Sequence, residues 1–391
     1  MVQALSEGHR SVALRYRELL AVLTAVPLVL VAACGGSANP GSPTPPGLPS
    51  ASSGLGAGIA PTPAPGPQTL SETGSTLLFP LMGDWAAAYH RQYPNVSITT
   101  GGTGSGAGIT DASKGFVSIG ASDAYLSSGD LVQNPAMLNI PLAISAQQVN
   151  YYLPGLPAGV HVRLNGSVLA QMYEGKIRAW NDPAIRALNP GVALPGTRVV
   201  PLHRSDSSGD TFLFTSYLST HSPTWNSVIG YGTTVTWPTV SGSQAVHGNT
   251  GMVSGCRATP GCVAYIGISY LSAALAGGLG EAELANTLGQ YELPTPASVG
   301  AAVASFVSST PTSETISMVD GPASGGYPIV NYEYAIVSVK QRNATSARDI
   351  KAFLHWIITA GNSAQYLDRV RFQPLPGPVA LLCDAQIAKI S

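Results

Sequence analysis

Charge is what this chain of 391 residues has least of: 19 Lys and Arg and 20 Asp and Glu make up 10% of the sequence, with a formal net charge of −1. An ordinary globular domain carries about 25%. The shortage excludes a basic nucleic-acid surface, because binding a phosphate backbone needs clustered Lys and Arg. Other absences narrow the field further. The seven histidines form no HExxH and no other metal-ligand spacing, no GxxxxGK[ST] occurs, and no GxGxxG opens a suitable βαβ unit, so metal and nucleotide chemistry are disfavoured. No cofactor is expected. No repeat with a period of 20 to 50 residues is present, which argues against a solenoid or propeller.

Glycine (44) and proline (31) are abundant and partly concentrated near the N-terminus. Arg10, Arg15 and Arg17 precede an uncharged apolar run from Leu19 to Ala33, the order of a secretory signal peptide over residues 1–33. The run is interrupted by Pro27 and is short of the roughly 20 apolar residues a bilayer span needs. It ends at Val31-Ala32-Ala33-Cys34-Gly35, which resembles a bacterial lipobox and predicts acylation of Cys34. From Gly35 to Gln68 there are nine prolines, eight glycines, five serines and no charged residue. Residues 34–68 therefore read as a lipidated Pro/Gly/Ser-rich tether, able to reach roughly 100 Å at about 3.1 Å per residue. Of the other cysteines, Cys256 and Cys262 flank Arg257-Ala258-Thr259-Pro260-Gly261, whose Pro-Gly favours a turn. In an exported chain this suits a small loop disulfide; zinc is the weaker option, since no second ligand pair is at hand. Cys383 reads as a buried apolar residue.

After Gln68 short apolar runs alternate with helical stretches, the pattern of an α/β protein. Strands are expected at Val96–Thr100, Val117–Gly120, Ile140–Tyr152, Arg198–Leu202, Val263–Ile268 and Ile329–Lys340. Helices are expected at Pro80–Tyr93, Ile109–Lys114, Val168–Glu174, Asp210–Leu218, Ala297–Ser308 and Ala347–Thr359. The two longest strands flank a middle block of domain size. If both cross between lobes, residues 69–143 with 328–391 form lobe I, residues 144–327 form lobe II, and a hinged cleft lies between them.

Three small turns carry the chemistry. Glu72-Thr73-Gly74-Ser75-Thr76-Leu77-Leu78-Phe79-Pro80 places hydroxyls before a helix start marked by proline. Gly101-Gly102-Thr103-Gly104-Ser105-Gly106-Ala107-Gly108-Ile109 and Arg204-Ser205-Asp206-Ser207-Ser208-Gly209-Asp210-Thr211-Phe212 each follow a strand and open a helix. A helix N-terminus offers unpaired N–H donors and about half a positive charge, so three converging would hold an anion with few formal cations. Asp123 and Asp210 place carboxylates where an anion would sit. That arrangement suits an anion that keeps a proton, as phosphate does near neutral pH and sulfate does not, because the carboxylate then accepts from the ligand's own hydroxyl. Asp206 is expected to orient Arg204.

Gly74-Ser75-Thr76 with Trp85 downstream, Gly104-Ser105-Gly106 followed by Ile119-Gly120-Ala121-Ser122-Asp123-Ala124, and the Arg204–Phe212 segment resemble, in order and spacing, the PstS-type phosphate-binding proteins of ABC importers. The resemblance runs from about Leu70 to the C-terminus and includes Asn181-Asp182-Pro183 and Leu188-Asn189-Pro190-Gly191. The Cys256–Cys262 segment and the tail near Phe372-Gln373-Pro374-Leu375-Pro376 are most similar to the mycobacterial phosphate-binding surface-antigen branch. The resemblance implies a two-lobed, type II periplasmic-binding-protein-like fold with hinge strands and a central ligand cleft. It also implies an extracytoplasmic lipoprotein, anchored at the cell membrane and possible to reach from the cell surface, that delivers inorganic phosphate to permease subunits and their ATPase. The implied phosphate ligands are Ser75, Thr76, Leu77, Ser105, Asp123, Arg204, Ser208, Gly209 and Asp210. Asp210 stands where many enterobacterial relatives have Thr, which bears on how many ligand protons are accepted.

Two other readings compete. Ser105, His203 and Asp206 suggest a phosphate-ester hydrolase, although Ser105 lacks the GxSxG elbow and His203 has no positional signature. A binder of another tetrahedral oxyanion, such as sulfate or molybdate, is the second; the paired acids argue against it.

Overall fold

The structure, a computed structural model, describes residues 60–391 apart from Ala158. The expected signal peptide, Cys34 and the tether up to residue 59 lie outside the described residues. The first stretch runs β1 (Gln68–Gly74), α1 (Phe79–Gln92), β2 (Val96–Thr99), α2 (Ser105–Ser113), β3 (Ile119–Ser122), α3 (Ser128–Gln133) and β4 (Met137–Tyr151). The middle stretch runs β5 (Arg163–Leu164), α4 (Gly166–Tyr173), α5 (Pro183–Leu188), β6 (Val200–Arg204), α6 (Gly209–His221), α7 (Pro223–Val228), β7 (Gln244–Val246), α8 (Gly248–Arg257) and β8 (Cys262–Gly267). It ends with α9 (Leu271–Ala276), β9 (Gly280–Glu281), β10 (Glu283–Ala285), β11 (Tyr291–Glu292) and α10 (Pro296–Ala304). The return stretch holds β12 (Val330–Ser338), α11 (Ala344–Ile358), α12 (Ala364–Leu367) and α13 (Gly377–Ala388).

One sheet follows the order β2-β1-β3-β12-β4-β8-β6-β7, with β9 beside β4, and a small sheet has the order β11-β10-β5. The β1–β2, β1–β3, β6–β7 and β6–β8 pairs are parallel, whereas β12 runs antiparallel to β3 and β4. Strand β4 belongs to both ends of the sheet. Its first part, from Met137 to Ala146, pairs with β12, and its last five residues, Gln147–Tyr151, pair with β8. Strands β2, β1, β3 and β12 thus come from the segments before and after the middle stretch, and β8, β6 and β7 come from within it.

Local signals explain the elements that position the site. Pro80 stands in the first turn of α1, where its missing N–H costs nothing, and His90 and Arg91 face the negative end of its dipole. Ser208 caps α6 and Asn343 caps α11, each side chain accepting from the N–H three residues on. Packing then fixes them. Tyr89 of α1 meets Phe353 and Trp356 of α11 edge to face at 5.0 and 5.5 Å, and Trp85 donates to Gly361 O at 2.8 Å. Around α6, Phe214 stacks on Tyr265 at 4.6 Å and Tyr173 lies 4.9 Å from Phe214. Each such aromatic removes roughly 150–250 Å² from water, which outweighs weak helix propensity nearby.

The structure differs from the sequence reading in many places: β1, α3, α5, α7 and α9 are among the elements not expected, and four further differences concern α2, α8, α13 and the N-terminal segment. Helix α2 begins at Ser105, four residues before Ile109, because packing overrides the low propensity of its glycines. Helix α8, with three glycines, was not expected and is held by buried Met252 and Cys256. Helix α13 was not expected either; it packs through Val379, Ala380, Cys383 and Ile387. The tether reading extended to Gln68, yet residues 60–68 lie against the body. Ala64 is buried and donates to Asp349 Oδ1 at 2.7 Å, Arg348 Nε donates to Thr62 O at 2.8 Å, and Asn95 Nδ2 donates to the Ala64 and Gly66 carbonyls. Composition carried no hint of this docking, since the partners come from distant α11 and the α1–β2 turn.

Cys256 at the end of α8 and Cys262 at the start of β8 are joined by a disulfide, so neither thiolate is available to a metal. Cys383 is buried, its Sγ 3.3 Å from Pro141 O and 3.1 Å from Glu314 Oε1. Closing so short a loop contributes about 2 kcal/mol by the chain-entropy relation. Replacing both Cys256 and Cys262 by Ala is expected to lower the unfolding free energy by about that amount in urea titrations. Reductant should lower the wild type similarly and leave the double variant unchanged.

Candidate functional site

The ends of β1, β3 and β6 and the start of α2 after β2 deliver the expected site residues to one place. In the β1–α1 turn Ser75 N donates to Ala121 O at 2.9 Å, and Ser75 Oγ accepts from Leu78 N at 2.9 Å while donating to Asp123 Oδ1 through a short bond. Asp123 follows β3. Its N–H donates to Ser105 Oγ at 3.2 Å, and Ser105 Oγ lies 3.3 Å from Asp123 Oδ2. Arg204 ends β6, its backbone N donating to the Tyr265 hydroxyl at 2.9 Å. Ser208, Gly209 and Asp210 form the cap and first turn of α6.

The turns at the starts of α2 and α6 touch. Gly106 N donates to Ser207 O at 3.1 Å. A Cβ on Gly209 would lie 2.5 Å from Asp123 Cβ and 2.7 Å from Ser105 Oγ, so only glycine allows α6 to begin this close to the β3 end. Gly104 has φ +96° and an added Cβ would meet Ser207 O at 2.6 Å. The first turn joins them through Asn249 of α8, whose Nδ2 donates to Thr76 Oγ1 at 2.9 Å and to Asp210 Oδ2 at 2.7 Å. Leu77 lies against Gly267, where a Cβ would meet its Cδ1 at 2.4 Å. Ser75, Thr76, Leu77, Ser105, Asp123, Arg204, Ser208, Gly209 and Asp210 are all buried, and all are in this cluster.

Arg204 is clamped on two sides. Its Nε donates to Asp206 Oδ1 at 2.8 Å, its Nη2 makes a short bond to Asp206 Oδ2, and its Nη1 donates to Asp210 Oδ2 at 2.7 Å. Of the five guanidinium N–H groups, two remain for another partner. Burial works against the Arg204 charge, but Asp206 and Asp210 more than offset it and hold the pKa above its ordinary value. Burial alone would raise Asp206, yet the Arg204 bonds and the Gly248 N–H hold it below the usual carboxylate range. Burial, then the charge of Asp123, pushes Asp210 up to about 7 against the pull of Arg204, Asn249 and Gln147. Both Asp210 oxygens are engaged, Oδ2 by Arg204 and Asn249 and Oδ1 by Gln147 at 3.1 Å.

Three buried residues that sequence reasoning missed also shape the cluster: Asn249, Gln147 and Glu333. Asn249 was hidden by the unexpected α8. Gln147 and Glu333 sit within the long apolar strands β4 and β12, and a polar side chain in such a run was the signal that could have found them.

The hydrolase arrangement is not assembled. His203 Nδ1 faces Arg204 O at 3.3 Å and its ring stacks on Trp237 at 4.9 Å, while Ser105 Oγ is engaged with Asp123. Burial lowers the His203 pKa. Among the described residues no three His, Cys, Asp or Glu side chains group to hold a metal ion.

The model of the PBP superfamily domain matches residues 60–360. A phosphate-binding protein PstS of Methanocaldococcus jannaschii is 34% identical over 341 residues, covering 81% of this chain and 83% of that protein. The chain belongs to the PstS family. A phosphate-binding protein PstS 3 of Mycobacterium leprae is 31% identical over 310 residues, covering 76% of this chain and 81% of that one. The fold is likewise that of the family. A high affinity periplasmic phosphate-binding protein, PfluDING, solved with phosphate, superposes with a TM-score of 0.63 at 20% identity, covering 81% of this chain and 93% of its own. The α/β, periplasmic-binding-protein-like architecture expected from the sequence is the one observed.

Contact between the α2 and α6 starts depends on Gly104. Gly104→Ala is expected to cost about 1–3 kcal/mol for its positive-φ, extended-ψ backbone and more for the collision with Ser207 O. Gly115, at φ +67° with open space around it, gives the control. Equal losses in thermal unfolding for Gly104→Ala and Gly115→Ala would show that the close approach contributes nothing.

Proposed function

We propose that this chain captures inorganic phosphate by hydrogen bonds between two lobes and delivers it to an ABC importer. The observation that carries this reading is the convergence of three helix-start turns on Arg204 and Asp123. The two remaining Arg204 N–H groups and the first-turn N–H groups of α2 and α6, those of Gly106 and Thr211 apart, supply donors of the kind a tetrahedral oxyanion takes, and the Ser75 and Ser105 hydroxyls stand beside them on Asp123. Thr76, Leu77, Ser208 and Gly209 complete the lining, Asp206 orients Arg204, and Asp210 braces it. Asp123 supplies the acceptor, which only a ligand carrying a proton can satisfy. Sulfate would set lone pairs against that carboxylate, so the site discriminates by a mismatch rather than by size.

The lobes of this reading are residues 69–143 with 328–391 and residues 144–327, with β4 and β12 as the strands that link them. The pairing of β4 with β12 at one end and β8 at the other supports this division. The proposed partners are permease subunits with their ATPase on one side and the membrane on the other, through acylated Cys34. Export is supported by the Arg-led apolar run before Cys34 and by the disulfide. Within the family, the Cys256–Cys262 segment and the Phe372–Pro376 tail favour the mycobacterial branch. Binding without turnover is expected, since no Ser–His–Asp relay stands at the site.

Calorimetry on the intact protein tests the reading. Phosphate should bind at one site and outcompete sulfate by a large factor. Asp123→Asn, which can donate to sulfate, should narrow that gap by about tenfold or more, the worth of a charged hydrogen bond of roughly 1.5–3 kcal/mol. Arg204→Lys, which loses the planar fork, should weaken phosphate at least as much. Equal affinity of the wild type for the two anions would refute the assignment.

A further inference from the structure

Behind Asp123 lies a second acid that no ligand contact requires. Glu333 is fully buried on β12, beside a register shift in its pairing with β4, where Glu333 faces Ala143 and Tyr334 faces Pro141. Such irregularities re-aim side chains next to functional sites. Glu333 shares a neighbour with Asp123: the Ser75 hydroxyl stands between the two carboxyls. Glu333 Oε1 accepts from Ser145 Oγ at 2.5 Å and from Asn331 Nδ2 at 3.0 Å. Its Oε2 lies 3.4 Å from Ser75 Oγ, whose single proton goes to the nearer Asp123 Oδ1. Two buried carboxyl groups on either side of one hydroxyl raise the cost of each other's charge, so one of the pair keeps a proton.

The surroundings decide which group keeps it. Burial raises the pKa of both groups, but Asp123 receives Ser75, Ser105 and the field of Arg204, although Asp210 opposes. Glu333 has two neutral donors, both on Oε1, and the groups facing it are Ser75 from the β1–α1 turn, Asp123 after β3, Ser145 from β4 and Asn331 from β12. None of these is a cation. With Oε1 saturated as an acceptor, Oε2 is the oxygen that bears the proton.

We propose that Glu333 is a positioning residue of this site: it remains a neutral carboxylic acid, donates to Asp123, and fixes Asp123 as the ionised acceptor for the ligand's hydroxyl. Burial and the neighbouring Asp123 charge both raise the Glu333 pKa well above its ordinary value, in the same direction. The proposal rests on the phosphate reading for its ligand and on the side-chain geometry for its proton.

The test uses the intact protein, Glu333→Gln and Glu333→Met. Gln can donate to Asp123 and accept from Ser145 and Asn331, so it should keep phosphate affinity within about threefold and leave the acid limb of the binding pH profile in place. Met offers no donor. Asp123 should then ionise less readily, phosphate should bind about tenfold more weakly, and the acid limb should move to higher pH. The infrared difference spectrum of wild type minus Glu333→Gln at neutral pH should show the carbonyl band of one neutral carboxylic acid. A missing band, or a tenfold tightening of phosphate in Glu333→Gln, would mean that Glu333 is charged and would overturn the proposal. If the wild type binds no phosphate while the band is present, the functional reading falls and the positioning role with it, but the proton assignment stands.

Discussion

The clamping of one buried guanidinium by two carboxylates is the constraint from which the site follows. Arg204 is about 4% exposed and lies between Asp206 and Asp210, and an unpaired charge so deeply buried would be strongly destabilising. The pairing also sets direction. Asp206, two residues on, takes the Nε edge, Asp210, six residues on, takes Nη1, and the rest of the fork is aimed by elimination. Tyr265, bonded to Arg204 N and to the Thr211 hydroxyl, and Asn249 steady this short strand-turn-helix from the outside.

A chain with so few formal cations compensates with main-chain dipoles. The fixed positive ends of α2 and α6 need no counterion and cannot swing away as a lysine can. Their cost lies in sequence freedom. Two glycines, Gly104 and Gly209, must stay small for the helix starts to meet the opposing segments. Under the proposed reading Asp123 adds selectivity, since an array of donors alone would accept any tetrahedral anion.

Much of the site was legible because its chemistry is local. Gly74-Ser75-Thr76, Gly104-Ser105-Gly106 and the Arg204–Asp210 run each declare a turn and a helix start within a few residues, and the long strands at Ile140 and Ile329 announced the links across the sheet. What remained hidden depends on distant pairing. Glu333 gains its significance only when β12 lies beside both β3 and β4. Asn249 does so only when α8 forms despite its glycines, and the docking of residues 60–68 exists only once α11 is in place. Element ends moved for the same reason: contacts made after folding decided them.

The seating of Thr62 and Ala64 against Arg348 and Asp349 has a mechanical consequence. A pull arriving along the chain from the N-terminal side is borne by α11 and the α1–β2 corner, at the part of the body built from both chain ends. The segment from β5 to α10, which supplies Arg204 and the α6 start, carries none of that load directly. Such a pull would meet the contacts of Thr62 and Ala64 before it reached β1, which leads into Ser75.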